Sequence, residues 1–141
     1  MKIKSVIAAI CLFAATSAAH AQQQGQPMTP EQREKQMYEN IQKQVDDMAS
    51  SLDLEDWQIF YADSILTTDY GILFKEFETL GRNRVSDTDI YVRIQDECAE
   101  RIYNAFHAVL DEKQWAKYLK MGAARDKRAR DKRAAKRQKQ S

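Results

Sequence analysis

The chain has 141 residues, 43% of them hydrophobic and 30% charged, and a formal net charge of +1; that is material for one domain. Only four glycines are present, which excludes a Gly-rich phosphate loop, and no stretch beyond the N-terminal leader approaches the length of an apolar membrane span. The near-neutral total conceals a division: residues 22–119 carry 10 Lys/Arg against 19 Asp/Glu, a balance of −9, and residues 120–141 carry 10 against two, a balance of +8. An acidic body bears a basic tail.

Residues 1–21 read as a cleavable secretory signal peptide. Lys2 and Lys4 precede an apolar run over 6–15, and Ala19-His20-Ala21 is a small-x-small cleavage site. Ile10 before Cys11, with apolar sequence continuing beyond it, argues against a lipoprotein anchor. The expectation is an exported protein, soluble or peripheral. Cleavage leaves Cys98 with no cysteine to pair with inside the chain. On the apolar stripe of its helix, Cys98 reads as a small buried hydrophobe rather than an intermolecular bridge.

After a polar lead-in over 22–27, a helical domain is expected over 28–121 and a basic tail over 122–141. Thr29 caps the first helix, with Pro30 at its first position and Gln32 three residues after the cap. Met37, Ile41, Val45, Met48 and Leu52 give it a narrow apolar stripe, so it is expected to be the least firmly held. The second helix, over 54–80, is apolar on more than one face. Trp57, Phe74 and Phe77 are assigned to its core side, and Gly81 is expected to end it as a left-handed cap. The third helix, over 87–109, carries Ile90, Ile94, Cys98, Ile102, Ala105, Phe106 and Val109. A tight turn at Leu110-Asp111 leads to a fourth helix anchored by Trp115, Tyr118 and Leu119. Beyond Gly122 lies a tandem, Ala124-Arg125-Asp126-Lys127-Arg128 and Ala129-Arg130-Asp131-Lys132-Arg133. With no apolar stripe to dock, it is expected to fray into disorder by about Lys136.

The predicted fold is all-α: four amphipathic helices with little interior. Because the second helix is apolar on more than one face and no disulfide or metal reinforces the small core, a homodimer is expected.

Helix-start phrases recur along the chain. Leu52-Asp53-Leu54-Glu55-Asp56-Trp57 and Leu110-Asp111-Glu112-Lys113-Gln114-Trp115 share Leu, Asp and Trp at matching offsets, and Val85-Ser86-Asp87-Thr88-Asp89-Ile90 has the same logic. In each an apolar residue precedes a capping side chain, with a polar and then an apolar residue closing the first turn. A second frame pairs Leu54, Glu55 and Gln58 with Leu110, Asp111 and Gln114. In that frame the chain resembles the Spy/CpxP family of small exported helical proteins, whose motif is L-T-x-x-Q twice over, with Glu55 and Asp111 at the Thr position. Met28-Thr29-Pro30-Glu31-Gln32 looks like a further copy. The resemblance covers roughly residues 52–119. It implies a periplasmic, ATP-independent chaperone or envelope-stress protein, a thin dimeric cradle of long antiparallel helices that holds unfolded envelope proteins.

Enzymatic chemistry finds no footing in the residues. His107 has Asp111 at i+4, but two ligands are not a metal site, and no cofactor is expected. Adjacent carboxylates such as Asp46-Asp47 and Asp96-Glu97 diverge around a helix and read as solvated surface. Phe60 and Tyr70 are the candidate contacts for exposed apolar segments of a client. The tail cations Arg125, Lys127, Arg128, Arg130, Lys132, Arg133, Lys136 and Arg137 supply solubility or, in the competing reading, dock an envelope adaptor onto an anionic partner. Nucleic acid is not expected, since the tail offers no aromatic for base stacking.

Overall fold

The computed structural model describes residues 27–139; the leader, Cys11 and most of the polar lead-in lie outside them. The described chain is all-α, with helices α1 (Pro30–Leu52), α2 (Asp56–Arg82), α3 (Thr88–Val109), α4 (Glu112–Tyr118) and α5 (Ala124–Gln138). The four expected helices are joined by a fifth, built from the basic tail.

The starts of α1 to α4 follow from local chemistry. Thr29 Oγ1 accepts from the Gln32 N–H at 3.2 Å, and Gln32 Oε1 accepts from the Thr29 N–H at 2.8 Å, so two orphan donors are satisfied reciprocally. At α3 the cap is Asp87, whose carboxylate accepts from the Asp89 N–H at 2.9 Å, one residue later than the Ser86 frame predicts. Asp53, at φ 53°, closes α1 in the left-handed region that Asp tolerates better than most residues.

α2 does not stop at Gly81. It continues to Arg82, and the left-handed residue is Arg84 at φ 55°. The Val85 N–H donates to the Leu80 carbonyl at 3.0 Å, a six-to-one closure that satisfies a terminal carbonyl without recruiting the glycine.

α2 packs between α1 and α3, and α4 touches α1. The buried apolar side chains among the described residues are Ile41, Val45, Met48 and Leu52 from α1, Ala62 and Leu66 from α2, Cys98, Ile102 and Phe106 from α3, and Leu110 after it. Successive members lie three or four residues apart, one stripe per helix. α1, expected to be the least firmly held, supplies more of this core than any other helix. A narrow stripe sufficed because Ile41, Val45, Met48 and Leu52 are all buried, with Met37 half-buried beyond them.

The phase of α2 departs from expectation. Gln58, Ala62, Leu66 and Asp69 face inward, which turns Trp57, Phe60 and Tyr61 outward at 50%, 70% and 50% exposure. Trp57 is therefore a surface residue, and Phe74 and Phe77 are half-buried walls of a groove rather than core. A helix has one rotational setting, and here a buried glutamine decided it.

Candidate functional site

The motif residues come together at the end of the bundle where α2 and α4 begin. Gln58 and Gln114, 56 residues apart, are both buried and exchange a reciprocal pair of amide hydrogen bonds of 2.7 and 2.8 Å. Each Oε1 also accepts the N–H that starts its own helix, from Glu55 to Gln58 at 3.0 Å and from Asp111 to Gln114 at 3.0 Å. Each Nε2 then donates to the carbonyl two residues before the other helix's cap, Gln58 to Val109 at 3.0 Å and Gln114 to Asp53 at 3.4 Å. The pattern is a local pseudo-two-fold in which every amide valence is used. Leu110 is buried and Leu54 half-buried beside it, while Asp111 caps α4 through the Gln114 N–H at 2.8 Å. Geometry thus selects the Leu54 frame over the Leu52 frame, and the motif is a fastener between two helix starts.

Phe60 stands on open surface with Trp57 and Tyr61. The three rings meet edge-on, at centroid separations of 6.1 Å (Trp57–Tyr61) and 5.8 Å (Phe60–Tyr61). The Trp57 indole N–H donates to the Glu55 carboxylate at 2.7 Å, leaving both ring faces clear of that bond. Tyr70 is elsewhere. Ten residues along α2, about 15 Å up the axis, it is half-buried in a groove between α1 and α2 with Met37, Leu73, Phe74 and Phe77. Burial raises its phenol pKa. The structure therefore separates the two candidate client contacts: Phe60 belongs to an exposed cluster, Tyr70 to a groove wall.

The tail is not frayed at Lys136. It forms α5, and its cations divide between two faces. Arg133 grips Asp96 with two hydrogen bonds of 2.6 and 3.0 Å, and Arg137 adds a third at 3.2 Å. Arg130, buried, reaches Glu100 at 3.2 Å, and Lys127 reaches the same carboxylate at 3.4 Å. Both also lie over the Tyr103 ring, Arg130 at 5.6 Å and Lys127 at 5.9 Å from its centroid. The Arg133 guanidinium, with a smaller contribution from Arg137, holds the Asp96 carboxyl below the usual carboxylate range against the opposing effect of burial. Arg125 pairs with its neighbour Asp126 at 3.0 Å. Arg128, Lys132 and Lys136 are exposed, with no ion-pair partner among the described residues.

The tail needed no apolar stripe because charge, with aliphatic stems beneath it, does the docking. Asp96 is accordingly buried rather than solvated, while its neighbour Glu97 faces out and pairs with Arg93. The readable signal was a match of spacings. Asp96 and Glu100 are one turn apart on α3, and Arg130, Arg133 and Arg137 repeat at three and four on α5.

Cys98 is buried, its thiol pushed up to about 11 chiefly by burial and held 3.5 Å from the Asp69 carbonyl. His107 is exposed and stacks on Trp115 at 4.5 Å. Among the described residues no group of His, Cys, Asp and Glu converges as a metal-ligand set, and no helix is long and apolar enough to cross a membrane. Comparison with family models, with curated proteins and with solved structures finds no match for this chain.

Proposed function

We propose that this chain is an exported, ATP-independent chaperone that captures non-native proteins reversibly through the Trp57–Phe60–Tyr61 cluster. The observation that carries the reading is that three aromatic rings, Trp57 and Phe60 each meeting Tyr61, are left at half exposure or more on a helix whose other face builds the core. Clustered exposed aromatics of this kind mark interaction surfaces. Asp53, Glu55 and Asp56 precede the cluster in sequence, so capture would favour apolar segments flanked by basic residues, with charge accelerating encounter. The resemblance of the two capped glutamine motifs to Spy/CpxP supports a periplasmic setting and a homodimeric cradle.

The test is light scattering of a denatured model protein, with the chain at stoichiometric amounts and no ATP. Aggregation should be suppressed by the wild type, and by a chain truncated after Gly122. Replacing Trp57, Phe60 and Tyr61 by Ser should remove most of the effect while leaving helical content unchanged. Suppression that survives the triple replacement would sink the assignment to this cluster. A triple variant that dissociates a dimer yet still suppresses aggregation would make the cluster the dimer seam instead.

A further inference from the structure

The cations of α5 that do not grip α3 form a surface of their own. Lys127, Arg130, Arg133 and Arg137 are committed inward to Asp96 and Glu100. Arg128, Lys132, Lys136 and Lys139 are spaced by four, four and three residues, which places them within roughly an 80° arc and along about 16 Å of the opposite face. All four are exposed, and no ion pair reaches them among the described residues. The acids of α5 itself are already engaged, Asp126 by Arg125 and Asp131 by Lys127. Flanking the four cations, one on each side, stand the exposed Ala129 and Ala135, too small to hold an approaching surface away.

We propose that this face of α5 docks flat onto an anionic lipid surface, with Arg128, Lys132, Lys136 and Lys139 on the plane of the phosphates. Three features favour a plane over the other polyanion to hand, a nucleic acid, whether duplex or single strand. The stripe is straight and narrow, whereas a helix seated in a groove meets phosphates on both flanks. The opposite side of the helix is held by α3, with Asp96 and Glu100 engaging its cations and the acidic body behind them, so no second row of cations is left to meet phosphates across a groove. The helix also carries no aromatic for base stacking. The arrangement keeps the negatively charged body on the far side of α5 from the lipid. It is independent of client capture, because vesicle binding and aggregation suppression are read separately.

The experiment is flotation of the full chain with phosphatidylcholine vesicles containing about one-third phosphatidylglycerol, and with phosphatidylcholine alone. A variant with Arg128, Lys132, Lys136 and Lys139 replaced by Gln is compared with a charge-matched variant carrying Gln at Lys35, Lys43, Arg93 and Lys113. The N-terminal apolar run is common to all chains and cancels in the ratios, and circular dichroism checks that α5 remains helical, Gln being a good helix former. The α5 variant should lose at least about tenfold in partition to anionic vesicles, and the matched variant less than about threefold. Wild-type binding should weaken as salt rises. Equal loss in both variants, or equal binding to both vesicle types, would overturn the proposal. Tighter binding to a random-sequence DNA duplex, lost in the same α5 variant, would overturn the choice of lipid.

Discussion

Gln58 and Gln114 illustrate how a polar residue can organise an interior. Each amide satisfies a helix start, a chain carbonyl and its counterpart amide, and no buried side-chain N or O atom among the described residues lacks a partner. Removing one amide strands the other in a buried site, where an unsatisfied polar group costs about 1–3 kcal/mol. Gln58→Ala and Gln114→Ala should therefore each destabilise the chain by ~2–3 kcal/mol in urea denaturation. The double variant should cost little more than either single, because the same network is lost once. Additive costs would mean the two glutamines act as independent caps.

At the scale of the element, α5 is a helix whose one buried side chain is an arginine. Its attachment is ionic, and its junction with α4 is a widened turn over Leu119–Ala123 with Gly122 at φ 125°, a conformation a side chain would strain. Such a helix should open before the rest of the bundle. Because Asp96 has its pKa lowered by Arg133 and Arg137, it contributes docking stability above the ordinary carboxylate range. That contribution is lost as pH falls through that range and below it. Hydrogen exchange should show α5 amides losing about tenfold or more of their protection as pH is lowered through and below the carboxylate range, or in molar salt, while α1 to α3 stay protected. Asp96→Asn should reproduce the loss at neutral pH. Unchanged protection in that variant would show that α5 is held by something other than these ion pairs.

Across the whole molecule, one thin core joins three long helices, and α1 is integral to it. Ile41 is 2% exposed and belongs to the same cluster as Leu66 and Phe106. Ile41→Ala should cost ~2–5 kcal/mol, comparable with Leu66→Ala, and the chain should still unfold in one transition. An early, separate melting of α1 would contradict this. The division of charge along the sequence reappears as a contact, since part of the basic tail closes on the acidic face of α3. The interior is too shallow to cover every apolar side of α2, which leaves Trp57, Phe60 and Tyr61 in water.

Local signals sufficed for the helices. Thr29, Asp87 and Asp111 satisfy first-turn N–H groups within a few residues of themselves, and the three- and four-residue spacing of Ile41 to Leu52 and Cys98 to Leu110 is a property of one helix at a time. That much is decided by short-range hydrogen bonding and side-chain periodicity, which the chain carries wherever it folds. The rotation of α2, the burial of Gln58, Gln114 and Asp96, and the docking of α5 were not legible in this way. They depend on partners at separations of 27 to 61 residues, and a side chain's surroundings at that range exist only once the helices have packed. Aromatic character alone placed Trp57 inside. Only the tertiary structure set it outside, because satisfying two buried amides fixed the face that α2 presents to the core.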